Sequence, residues 1–164
     1  MANYCVYSMV AVSKDKSALE RLIKIMRYED KEYYIYRCFS AVDNEIEEND
    51  GLYSVLIDGD VAWSCSKWFE HKEDVNDISK TNAHYISLDL LCEKFGIGVE
   101  LFSEESGNCF QEHYLVKHDG EVVFNESVEW TREWYDENDN ILDEPIERGG
   151  FEYYLNFSGI EEIY

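Results

Sequence analysis

Four polar residues between positions 104 and 113 are of types that can do chemistry: Glu104, Glu105, Glu112 and His113. Carboxylates beside one imidazole can bind a divalent cation or act as acid and base. Spacing decides how many of them converge. A turn at Ser106-Gly107-Asn108 would close a hairpin and set Glu104 against the Glu112 region. Strand alternation, however, sends Glu112 and His113 to opposite faces, and metal centres need several convergent ligands. The pattern therefore predicts charged rungs and a hydrogen-bonded histidine, with a metal-dependent enzyme using Glu104, Glu112 and His113 as the alternative. Cys109 and His113 share a strand face, but four residues of strand span about 13 Å, too far for a thiol–imidazole pair. Cys5, Cys38, Cys65, Cys92 and Cys109 are scattered, with no C-x-x-C pair, so their spacing indicates neither a disulfide framework nor a zinc cluster. No P-loop, G-x-S-x-G or H-E-x-x-H string occurs. The expectation is a non-enzyme with no catalytic residue, metal or cofactor.

The second candidate constellation is a matter of charge. The chain carries 36 acidic and 14 basic residues, net −22. From Glu100 to Tyr164 there are 18 acidic and 3 basic residues, net −15, which leaves −7 for the first 99. Such a field repels nucleic acid and anionic membrane and attracts basic protein surfaces. Trp130 and Trp134 have the same strand parity and sit among Glu126, Glu129, Glu133, Asp136, Glu137, Asp139, Asp143 and Glu144. Aromatic anchors with an acidic rim are how a partner-binding face would look. The competing reading packs both tryptophans inward from a half-buried strand. Trp63, in Gly-Asp-Val-Ala-Trp-Ser, is expected in the core.

Elements must position these groups. Tyr4 to Val12 is β-branched and aromatic, a strand expected to be covered on both faces. Ser17-Ala-Leu-Glu20 spells a capping box, and Leu19, Leu22, Ile23 and Met26 form the apolar stripe of a first helix. Tyr33 to Val42 is a second strand, and Asp43 to Asp50 an acidic loop. Leu52 to Ile57 and Val61 to Cys65 flank Asp58-Gly59 as a hairpin or one bulged strand. Lys67 to His71 can form a turn of helix, and Lys67 to Ala83 is otherwise weakly patterned. Leu88, Leu91, Cys92 and Phe95 mark a second helix, with Ser87 as its cap and Gly96 as its left-handed exit. Strands follow at Ile97–Ser103, Cys109–Lys117 and Glu121–Asn125, the last two joined by Asp119-Gly120. Val128 to Tyr135 reads as a half-exposed strand, Asp136 to Gly150 as an acidic loop, and Phe151 to Phe157 as a last strand.

That order predicts an α+β fold: a ferredoxin-like β-α-β-β-α-β core over 1–125, mainly antiparallel, with two helices on one face. An acidic, aromatic-rich β extension over 126–164 adds a hairpin or small sheet. The chain opens with neither a basic n-region nor an apolar h-region, and no apolar run approaches ~18 residues, so a cytoplasmic protein without membrane partners is expected.

Gly59-Asp-Val-Ala-Trp-Ser64 and the string Phe102-Ser-Glu-Glu-Ser-Gly-Asn-Cys-Phe-Gln-Glu-His-Tyr114 resemble uncharacterised proteins of phages, plasmids and other mobile elements of Gram-positive bacteria. With its Asn3-Tyr4-Cys5 start and strand order, the chain is loosely similar to the YubB-like ferredoxin-like domain family. The resemblance covers most of residues 1–125. It implies an accessory genetic context and a ferredoxin-like core, and it supplies no activity or catalytic residue. Charge and resemblance together predict an acidic binding protein whose partner is basic, such as a nuclease or other nucleic-acid-binding protein engaged through nucleic-acid mimicry. The alternative is a homo-oligomeric accessory module, a homodimer being its simplest form, without a decoy role.

Overall fold

A computed structural model describes residues 3–71 and 82–164. Its strands are β1 (Tyr4–Ser13), β2 (Tyr33–Tyr34), β3 (Cys38–Asp43), β4 (Glu47–Asn49), β5 (Leu52–Ala62), β6 (His84–Tyr85), β7 (Ile97–Glu105), β8 (Phe110–Val116), β9 (Val122–Tyr135) and β10 (Ile141–Gly149). The helices are α1 (Lys16–Met26), α2 (Leu88–Phe95) and a short C-terminal α3 (Ile160–Ile163), with a 3-10 turn at Cys65–Phe69. Eight strands form one antiparallel sheet in the order β10-β9-β8-β7-β1-β5-β3, with β4 on the far part of β5. β2 and β6 make a separate two-residue parallel pair. The fold is α+β, as its pattern of capped amphipathic helices between strands requires.

Period-two alternation assigns the two faces of the sheet. On one face Cys5, Tyr7, Met9 and Ala11 of β1 join Val55, Ile57 and Val61 of β5, and Val99 and Leu101 of β7, in a single core. Leu19, Leu22 and Ile23 of α1 and Leu88 and Leu91 of α2 pack into that same core, so both helices cover this face. Phe95 packs against its edge, only partly buried. On the other face lie Glu100, Phe102, Gln111, His113 and Leu115, which the chain beyond Gly149 covers.

Several local expectations are corrected. The helix cap is Asp15, not Ser17: the Ser17 amide and hydroxyl both donate to the Asp15 carboxylate. Ser87 does precede α2, but its hydroxyl makes no cap bond, while Gly96 does take the left-handed exit. The strand from Tyr33 to Val42 breaks into β2 and β3, because Arg37 adopts φ 54° and the Trp68 indole nitrogen donates to the freed Tyr36 carbonyl. Of the two readings of Asp58-Gly59, the single strand holds and the hairpin does not: both residues lie inside β5. The acidic loop after Asp43 contains β4. β1 is covered on both faces only toward its end: Val12 is buried, whereas Tyr4 and Val6 are exposed. Trp63 is not a core residue; it is exposed, with φ 76°.

The largest correction concerns the acidic, aromatic segment after Glu121. Glu121–Asn125 and Val128–Tyr135 are parts of one 14-residue strand, β9. Residues 141–149, expected in a loop, form β10, and the hairpin turn is made by Asp136 to Asn140. Residues 151–157, expected as a strand, instead form turns. Gly149 and Gly150, at φ 72° and 79°, turn the chain off β10 and lay it across the sheet. A Cβ on Gly150 would sit 2.5 Å from Gln111 Oε1 and 2.9 Å from the Trp130 ring, so side chains are excluded there. Residues 151–157 alternate as a strand would, with Phe151, Tyr153, Leu155 and Phe157 two apart, but burial against Phe102 and His113 decided their conformation instead.

Candidate functional site

The candidate interaction residues lie on the β9–β10 hairpin, which the sheet supports at only one end. Val122 to Glu129 pair with β8; from Trp130 onward the strand partner of β9 is β10. Between the pairs Tyr135–Ile141 and Glu133–Ile146, Trp134 alone faces four residues of β10, Leu142 to Pro145, a pronounced bulge. The turn is held by Asp136, whose carboxylate accepts from the Asn138 and Asn140 amides and from the Asn140 side chain. The Asn140 side chain, then the two amides, hold this carboxyl below the usual range.

From Val122 to Gly149 there are nine acidic residues and two arginines, net −7. Both cations are already paired within the hairpin: Arg132 with Glu147 at 2.7 Å and Arg148 with Glu133 at 3.7 Å. Glu126, Glu129, Asp136, Glu137, Asp139, Asp143 and Glu144 are in no ion pair among the described residues. Glu126 instead accepts from the Tyr153 hydroxyl at 3.0 Å. Trp134, Tyr135 and Ile141 are exposed beside these carboxylates, Ile141 at 76%. Trp130 is corrected as an anchor: it is 4% exposed, under Gly150, with the Arg132 guanidinium 5.0 Å from its ring. Shared parity did not give the two tryptophans a shared environment, because β8 and the C-terminal crossing reach only the first.

The other four candidates do not converge. Glu105 closes the β7–β8 turn, accepting from the Gly107 and Asn108 amides. Glu104 accepts from Gln111 and lines an open groove of about 460 Å³ with Asp58, Asp60 and Tyr154. His113 is on the face crossed by the C-terminal segment. There its Nε2 lies 2.9 Å from Glu100 Oε1, and its ring stacks on Phe102 at 4.2 Å. Glu100, a residue that sequence reasoning did not single out, also takes the Ser158 amide at 2.6 Å and thereby anchors the C-terminal crossing. Glu112 points the other way, into the helix-covered core. It accepts from Ser103 at 2.8 Å, the Cys65 amide at 3.0 Å, Tyr114 at 2.9 Å and Ser64 at 2.5 Å, with the Cys5 thiol at 4.0 Å. Burial, then the Glu112 charge, raise the Tyr114 hydroxyl far above its ordinary range. Glu104, Glu112 and His113 therefore form no common centre.

Comparison with protein-family models, curated proteins and solved structures gives no significant match for any part of the chain. Among the described residues no helix is long and apolar enough to cross a membrane.

Proposed function

We propose that the protein is a non-enzymatic acidic binding protein of a mobile genetic element, cytoplasmic, whose β9–β10 arm docks on a basic protein surface. The observation that carries this reading is the arm itself: a two-stranded ribbon with seven carboxylates that are in no ion pair among the described residues and with exposed Trp134, Tyr135 and Ile141. Charge steers the encounter and an aromatic anchor holds it. The β7-β1-β5-β3 order with α1 and α2 on one face supports a ferredoxin-like core beneath the arm.

Magnitude argues for a basic protein patch over full imitation of a duplex. At ~3.3 Å per residue the 14-residue β9 spans ~46 Å. Nine carboxylates over that length is one per ~5 Å, against one per ~1.7 Å in double-stranded DNA. Mimicry of a phosphate backbone is thus the narrower form of the proposal, with the remaining acidic surface contributing. Sheet-extending self-association is disfavoured by the free edge of β10, where Pro145, the bulge and like charges block strand addition.

Reversal of Glu129, Glu137, Asp143 and Glu144 to lysine moves the arm from −7 to +1 and spares Asp136, which builds the turn, and Glu133, which pairs with Arg148. Captured partners from a bacterial lysate, identified by mass spectrometry, should be basic. Capture should fail with this variant and with wild type at 1 M salt, where the Debye length is ~3 Å. An unchanged set of captured proteins would refute the reading.

A further inference from the structure

We propose that Cys5, Cys65 and Glu112 form a binding site for a divalent transition-metal ion, and that zinc is the ion their chemistry fits. The three come from β1, the head of the 3-10 turn and β8, 60 and 47 residues apart in sequence. They are 0%, 0% and 3% exposed, and one ligand atom of each lies within 4.8 Å of the others. In a tetrahedral zinc site with Zn–S about 2.3 Å and Zn–O about 2.1 Å, ligand atoms stand roughly 3.5–3.8 Å apart. The site needs to close by only about an ångström.

The carboxylate is already oriented. Ser103 and the Cys65 amide hold Oε2, while Tyr114 and Ser64 hold Oε1. Such outer hydrogen bonds are what fix ligating carboxylates in metal centres. All of these donors are neutral, so among the described residues this buried carboxylate faces no cation, whereas buried charges are normally paired or metal-bound. Two sulfurs with a single carboxylate select a borderline-soft ion and disfavour calcium or magnesium, which take oxygen ligands.

Binding balances as follows. The metal ion accepts a sulfur lone pair from each cysteine, and the two S–H protons leave to solvent. Glu112 Oε2 supplies the third ligand in place of the hydrogen bond it accepts from the Ser103 hydroxyl, which turns away, and a water entering past Ser64 the fourth. Ser64 is half-buried and hydrogen-bonded to exposed Ser66, which makes it the rim of the site. The centre carries −1 before and after, so the interior gains no net charge. Both sulfurs are fully buried and metal binding takes them as thiolates, so proton release should accompany binding at neutral pH.

The test uses the full-length protein, reduced and stripped with a chelator, with Co²⁺ as probe. One equivalent should produce a thiolate-to-cobalt charge-transfer band, which one equivalent of Zn²⁺ removes. Zn²⁺ added in weak buffer should release two protons per ion and raise the melting temperature. Cys109→Ser should retain all three signals, and Cys5→Ser and Cys65→Ser should lose the band. Should either variant unfold, the wild-type proton count and the Cys109→Ser result stand as independent measurements. The proposal is overturned by cobalt binding without a sulfur band, which means surface carboxylates only, or by a band that depends on Cys109. A two-proton mass deficit mapping to a native Cys5–Cys65 disulfide would overturn it as well.

Discussion

Gly98→Ala gives the sharpest test of the C-terminal crossing. A Cβ on Gly98 would lie 2.2 Å from the Ile163 carbonyl oxygen, 2.8 Å from its carbon and 3.0 Å from Tyr164 Cα. These are backbone atoms, so no side-chain rotation relieves the clash, and α3 must move by about an ångström, given ordinary van der Waals separations. The cost has a ceiling, because α3 can detach while the rest of the crossing stays anchored through Ser158 and Glu100. Detachment exposes the fully buried Ile163, about 1.5–3 kcal/mol, and frees the bonds of Lys117 to Glu162 O and of His118 to Tyr164 O, ~0.5 kcal/mol each at the surface. The expected loss is about 2–4 kcal/mol, or about 5–15 °C in melting temperature for a chain of this size. Urea unfolding followed by circular dichroism measures it. Deleting residues 160–164 removes the obstacle. In that background the alanine should be neutral or stabilising by about 0.5–1 kcal/mol, as expected for replacing glycine inside a strand. Equal destabilisation in both backgrounds would refute the claim that Gly98 is there for α3.

Leu91→Ala, in the face of α2 that is fully buried, should cost about 2–5 kcal/mol by urea unfolding. Trp130→Ala should cost about 3–5 kcal/mol, whereas Trp134→Ala should stay within about 0.5 kcal/mol and weaken partner capture without altering its salt dependence. Thiol alkylation of the native, reduced protein at pH 8 should label Cys109 well before the others: it alone is not buried, and burial pushes Cys38 up to about 11. Asp30 is raised by burial, but Arg21 and the Glu32 and Tyr33 amides more than offset this, and its carboxyl is lowered overall. A lowered folded-state value means stability that is present above the unfolded value of ~3.9 and lost as pH falls through the folded one, so Asp30→Asn should flatten the acid limb of stability below about pH 4. An unchanged acid limb would refute that assignment.

Sequence alone determined α1 and α2 and the polarity of the chain, but not the four-residue α3. The spacing of Leu88, Leu91 and Cys92 placed α2, Gly96 marked its end, and Asp119-Gly120 marked the β8–β9 turn, because these are local preferences of a 3.6-residue period and of positive φ. The concentration of carboxylates after Glu100 was countable directly. Alternation along β8 also foretold that Glu112 and His113 would part, which the two faces of the sheet bear out. Tertiary structure decided what long-range pairing decides. Residues 141–149 became a strand despite Pro145 and three acidic neighbours because β9 offered a partner, and residues 151–157 did not because the Phe102–His113 face offered burial instead. Trp130 and Trp134, alike in type and parity, separated into core and surface by where β8 ends. Cys5, Cys65 and Glu112 met only because β1, the 3-10 turn and β8 converge beneath the helices, a juxtaposition that no spacing in the linear chain encodes.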